Sequence, residues 1–184
     1  MSVHIALLRA VNVAGYGTIA MADLRAFLAA LGFRDARTLL QSGNAVFSAG
    51  ARSADVETRL EKEAPKRLGV RTTFFVRSAE EWSDVVARNP FRAEAKRDPS
   101  RLVVMVLKDV PAAAAVDALN AGITGPEVVR ASGRQLYITY PDGQGRSKLT
   151  GALIERKLGT TGTARNWNTV TKLAALATEV ERTA

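Results

Sequence analysis

At 184 residues, the chain can hold one large domain or two small ones and bury a real core in either case. Zero cysteines exclude disulfides, thiol nucleophiles and thiolate zinc, and no apolar run approaches the roughly 18–20 residues a membrane helix needs. The net charge of +8 is spread evenly, with 15 Lys+Arg against 11 Asp+Glu over residues 1–98 and 11 against 7 over 99–184, which excludes a basic arm of the kind that wraps nucleic acid.

The opening "MSVHIALLRAVN" has no basic n-region or cleavage site and runs straight into a strand, so it does not read as a signal peptide. Ordered globular composition and this start predict a cytoplasmic protein. Diffuse positive charge fits either affinity for phosphate-bearing partners or simple solvation of the surface.

In chain order, "VHIALLR" is an apolar run without helical period and predicts a strand buried on both faces. Leu24, Phe27, Leu28 and Leu31 recur at helical spacing and Gly32 marks the stop. "ARTLLQ" and "AVFS" predict two strands joined by a tight "SGN" turn. Ser53 to Leu68 predicts a charged helix with Val56, Leu60 and Ala64 on one side and a last turn weakened by Pro65. "VRTTFFVRS" and "AEEWSDVVARN" predict a strand and a helix ended by Pro90, and "NPFRAEAKRDPS" reads as a polar connector.

The order then begins again. "RLVVMVL", "PAAAAVDALNAG", the hairpin "EVVRAS"/"RQLYITY" around Gly133, "KLTGALIERKLG" and a short "TAR" predict strand, helix, two strands, helix and strand, with a last helix behind them. This is β-α-β-β-α-β twice, which predicts an α+β protein of two tandem ferredoxin-like lobes over residues 1–98 and 99–184, the second followed by an extra C-terminal helix. In such a lobe the first two strands run parallel. The end of the first strand, with Arg9, Asn12 and the "NVAGYGT" loop, should therefore meet the turn carrying Gln41, Ser42, Gly43 and Asn44.

The stretches "IALLRAVNVAGYGTIAMADLRAFLAALGFRDARTLLQSGNAVF", "NPF", "DGQGRSK" and "TARNWNTVTKL" together resemble the bacterial family called domain of unknown function 1697. The resemblance supplies no reaction and no cofactor. It implies that Arg9, Asn12, Gln41 to Asn44, Ser147, Lys148 and Arg165 to Thr169 occupy the family's motif positions. The family usually has Gly where this chain has Ala10 and Ala14, and Ala restricts φ and adds a methyl group.

The motifs suggest a polar ligand. In "TARNWNTVTKL", Asn166 or Asn168 is suited to cap a helix whose buried stripe is Val170, Leu173, Ala174 and Ala177. Arg165 and free N–H groups at that helix start suit a phosphate or carboxylate, and Trp167 suits stacking on a base or sugar. "YPDGQGRSKLTGAL" places Ser147 and Lys148 after a glycine-rich loop and at a helix start, the context of an anion-binding nest, although the spacing is not that of a P-loop. In "QSGN", Gln41 is the residue a hairpin does not need. His4, the only histidine, lies within a strand and reads as a packed residue; a Ser–His pair would need it beside Ser42 or Ser147. No spacing suggests metal ligands, and no cofactor is expected.

The favoured expectation is binding of a phosphorylated ligand, nucleotide or nucleic-acid backbone by Arg9, Asn12, Gln41, Ser42, Asn44, Ser147, Lys148, Arg165, Asn166, Trp167 and Asn168. An enzyme acting on a phosphorylated or nucleotide-like substrate, and a structural or partner-binding protein whose motifs lock the lobes, are the alternatives. Sheet-face reading of RNA is disfavoured, because the first strand carries no aromatic residue.

Overall fold

The computed structural model of the chain describes residues 1–12 and 17–183. The protein folds as two compact units, Met1–Asp84 with Lys172–Ala184, and Val85–Thr171. The first runs β1 (Ser2–Leu8), α1 (Met21–Ala30), β2 (Arg34–Thr38), β3 (Asn44–Ala49), α2 (Ser53–Arg67) and β4 (Phe74–Ser78), followed by α3 (Ala79–Ala87). Next come α4 (Arg92–Arg97), β5 (Leu102–Leu107), α5 (Ala113–Ala121), β6 (Val128–Ser132), β7 (Gln135–Thr139), α6 (Gly151–Leu158), β8 (Gly162–Asn166) and α7 (Trp167–Thr183). Each unit builds a four-stranded antiparallel sheet, in the orders β2-β3-β1-β4 and β6-β7-β5-β8. The two orders are equivalent, and the ferredoxin-like expectation holds in both.

The cores follow from the periodicities. Leu24, Phe27 and Leu28 of α1 and Val56, Leu60 and Ala64 of α2 pack with Ala6, Leu8, Phe47, Phe74 and Val76 of the first sheet. Ile5, Leu7 and Val46, on the opposite pleat, are buried as well, as the unbroken apolar run of β1 requires. In the second unit Val103, Met105 and Leu107 of β5 pack with Leu136, Ile138, Leu119 and Ile154. The α7 stripe is buried at Val170, Leu173, Ala177 and Val180. Helix α1 ends in a Schellman motif: Gly32 sits at φ +79°, with Phe33 N donating to the Leu28 carbonyl and Gly32 N to that of Ala29.

Both sheets protect one edge in the same way. The outward N–H groups of Phe74 and Val76 on β4 donate to the carboxylates of Glu61 and Glu57 on α2, at 3.0 and 2.8 Å. On β8, Gly162 N donates to Glu155 of α6 at 2.9 Å.

Four local expectations are corrected. The β2–β3 connection is not a tight Ser-Gly-Asn turn: it is a loop, residues 39–43, with positive φ at Leu40 and Gly43, while Asn44 is already in β3 and fully buried. Pro65 does not end α2, which continues to Arg67, because the buried Leu60 and Ala64 hold its last turns and Leu68 N reaches the Ala64 carbonyl at 2.8 Å. The connector after Pro90 contains α4 and a 3-10 turn at Pro99–Arg101. Helix α6 starts at Gly151 with Thr150 as its cap, so Ser147 and Lys148 precede the helix.

Candidate functional site

The polar loops of the first unit do meet. Leu8 N donates to the Gly43 carbonyl at 2.8 Å, and the Asn12 amide donates to the carbonyls of Gln41 at 2.7 Å and Ile19 at 2.9 Å. Asn12 Oδ1 accepts from Ile19 N at 2.7 Å. The Asn12 side chain is thus committed to backbone groups. Asn44 donates to the Leu39 carbonyl and to Ser42 Oγ, which also ties it to the loop. Arg9 is half-buried, its N–H donating to the Thr73 carbonyl at 2.9 Å and its carbonyl accepting from the Thr72 hydroxyl at 2.7 Å. Gln41 and Ser42 are exposed. Ala10 and Asn12 both have positive φ, at +51° and +55°. Residues 13–16, with Ala14 and Tyr16, lie outside the described residues.

The second unit holds a cleft of about 240 Å³ between the α5–β6 loop and the β7–α6 loop. Its lining includes Ile123, Leu149 and Leu153 on the apolar side, and Glu127, Asp142, Arg146, Ser147 and Lys148 on the polar side. Ser147 braces the two loops: its hydroxyl donates to Glu127 and accepts from Leu149 N at 3.0 Å. A Cβ on Gly125 would lie where the Glu127 carboxylate folds back over that glycine. Tyr140 supports the same wall from below, its hydroxyl donating to the Leu149 carbonyl at 3.0 Å. Burial, helped by the charge of Glu127, pushes the Tyr140 phenol up to about 12, so it stays a neutral donor. The Arg146 and Lys148 side chains are exposed and make no hydrogen bond or ion pair among the described residues.

The third group is the β8–α7 corner. Asn166 is the cap: its Oδ1 accepts from Thr169 N at 3.0 Å and from the Thr169 hydroxyl at 3.2 Å. Trp167 is buried and Asn168 is exposed in the first turn. Arg165 is half-buried, donating to the Thr163 hydroxyl and the Ala164 carbonyl, and burial holds its guanidinium down to about 10. Ser147 and Lys148 therefore line the cleft, whereas Arg165, Asn166, Trp167 and Asn168 are not on its lining.

Glu127 and Arg146 were not singled out in the sequence. Arg146 is adjacent to the Ser147–Lys148 pair and was legible as a third member of that loop, but Glu127 reaches Ser147 only through the fold. His4 neighbours Ser53, not Ser42 or Ser147: its Nδ1 lies 3.4 Å from Ser53 Oγ, which donates to Glu81 at 2.8 Å. Burial lowers the His4 pKa, against weaker opposing pulls from Ala51 and Glu81. Among the described residues no group of three His, Asp or Glu side chains is placed to hold a metal ion, and no helix is long and apolar enough to cross a membrane.

The model of a family described as protein of unknown function, DUF1697, matches residues 1–137. The motifs at 142–148 and 163–173 lie beyond that span. Among solved structures, the conserved bacterial protein SP0830 from Streptococcus pneumoniae is similar with a TM-score of 0.75 at 21% identity, covering 96% of this chain and 98% of that one. Identity that low shows the shared fold alone. Comparison with curated proteins finds no match.

Proposed function

We propose, for a chain that belongs to the DUF1697 family of proteins of unknown function, that the second unit's cleft binds a small phosphorylated ligand, a sugar phosphate or mononucleotide. The observation that carries this reading is the pair of uncommitted cations, Arg146 and Lys148, on either side of the braced Ser147 at an apolar-backed cleft. A phosphate meets the two cations as a charge-assisted acceptor. Ile123, Leu149 and Leu153 cover an apolar ring or sugar face, and Glu127 accepts from ligand hydroxyls. A volume of about 240 Å³ suits a small ligand better than a nucleic-acid strand.

Isothermal titration with AMP, ribose 5-phosphate and inorganic phosphate tests it. Removing a charged hydrogen-bond partner costs roughly 1.5–3 kcal/mol, so Arg146→Ala and Lys148→Ala should each weaken AMP binding by about tenfold or more. Glu127→Gln should weaken the ribose ligands and spare inorganic phosphate. Absence of saturable binding at millimolar ligand, or affinity indifferent to both cations, refutes the proposal. Oligonucleotide binding that fades with salt and ignores Arg146 and Lys148 would report only the diffuse charge of the chain.

A further inference from the structure

A buried hydroxyl without a hydrogen-bond partner is costly, and folded proteins keep few. Ser48 on β3 is one: it is 1% exposed and its Oγ has no partner among the described residues. Ser48 lines a cleft of about 630 Å³ within the first unit, together with Asp35 of β2, Glu80 of α3, Glu181 near the end of α7, and Arg34. Three carboxylates from three elements therefore share this lining with two cationic groups, the Arg34 guanidinium and the amino group of Met1. None of these four charged side chains makes a hydrogen bond or ion pair among the described residues.

The backbone is shaped around this place. The β2–β3 register breaks between Arg34 and Arg37, and Asp35 within the break adopts φ +55°. Bulges of this kind re-aim side chains, and a left-handed residue other than glycine persists only where its surroundings hold it. The N-terminus of α3 borders the cleft too, but it has its own anion. Ser78 and Glu81 form a capping box, Glu81 N donating to Ser78 Oγ at 3.1 Å and Ser78 N to the Glu81 carboxylate at 2.7 Å. With that helix end satisfied, the three carboxylates and the Ser48 hydroxyl outnumber the two cations, Arg34 and the Met1 amino group.

Carboxylates only accept hydrogen bonds, and a serine hydroxyl can turn to accept one more. The complementary ligand is a cation that only donates. We propose that this cleft is a binding site for an aliphatic diamine or polyamine, one ammonium group donating to Ser48 Oγ and the carboxylates of Asp35, Glu80 and Glu181 balancing the charge. The whole chain carries +8, so its general field repels polycations and retention of one reports the local site.

The test is isothermal titration of the full chain with putrescine at low salt, with n-butylamine and orthophosphate as comparators. Wild type should saturate with one putrescine per chain and hold n-butylamine more weakly. The double variant Glu80→Gln/Glu181→Gln alters two exposed side chains and should weaken putrescine by about tenfold. Ser48→Ala should weaken it as well, yet leave the unfolding midpoint of the ligand-free protein unlowered, since no native bond is lost. Arg146→Ala should leave amine binding unchanged, which separates this site from the cleft of the second unit. No saturable heat at millimolar putrescine, equal affinity in the double variant, or displacement of the amine by orthophosphate overturns the proposal.

Discussion

Gly43→Ala probes how the hairpin loop is seated on the end of β1. Gly43 has φ +77°, where an L residue costs about 1–2 kcal/mol. Its added Cβ would stand 2.6 Å from Val11 Cγ2 and 2.9 Å from Leu8 Cβ. Carbon atoms pack at about 3.5–4.0 Å, so either the loop or the buried Val11 must move, and overpacking of this kind costs about 1–3 kcal/mol. The unfolded chain loses freedom on going from Gly to Ala, which offsets about 0.4–1 kcal/mol. The expected net loss is roughly 2–4 kcal/mol, read from urea unfolding followed by far-UV circular dichroism. Hydrogen exchange at Leu8 should accelerate at the same time, since its N–H donates to the Gly43 carbonyl. The double variant with Val11→Ala should cost less than the two single losses combined, because the clashing methyl is gone. A loss under about 1 kcal/mol, or strict additivity with Val11→Ala, would refute the steric reasoning.

Ala10→Gly should act in the opposite direction: relief of the left-handed strain at φ +51°, less the added freedom of the unfolded chain, leaves a gain of roughly 0.5–1 kcal/mol in the same assay. Asn166→Ala should cost about 1 kcal/mol by removing the α7 cap, while Asn168→Ala should change stability by less than about 0.5 kcal/mol. His4 gives stability a pH dependence of defined sign. Burial holds its native pKa below the unfolded value of 6.5, so below about pH 6.5 the unfolded chain takes up a proton that the native chain refuses. Stability contributed by neutral His4 should be full above that pH and fall as pH drops toward the native pKa. Comparing urea midpoints between pH 7.5 and 5 for wild type and His4→Gln should show a shallower slope in the variant.

The element order was legible because it rests on periodicity: α1, α2 and α7 carry their stripes at helical spacing, and β1, β3 and β5 are runs too apolar for a surface. What failed was chemistry decided by partners distant in sequence. "SGN" matches a tight turn by composition, yet the Asn44 side chain serves the Leu39 carbonyl from inside β3. Ser147 resembles a helix cap until Thr150 takes that role and Glu127, twenty residues earlier, takes the hydroxyl. The two Asn of "TARNWN" were separable only once the backbone showed which of them faces Thr169. The capping box at Ser78–Glu81 has the S-x-x-E spacing but was not singled out in the sequence, because Ser78 reads there as the end of a strand. The partnerless Ser48 hydroxyl and the bulge at Asp35 are properties of the folded sheet, with no local pattern to announce them.

The carboxylates along β4 and β8 bear on how the protein behaves when crowded. An outer strand with unclaimed N–H groups is a template on which another molecule's strand can dock, and repeated docking gives fibres. Glu57 and Glu61 occupy the amides of β4, and Glu155 occupies one on β8, from the protein's own neighbouring helices. An incoming strand would have to displace a charge-assisted bond before forming a neutral one of about half the strength. Colloidal behaviour at these two edges is therefore set by helix residues that an inspection of the strands alone would pass over.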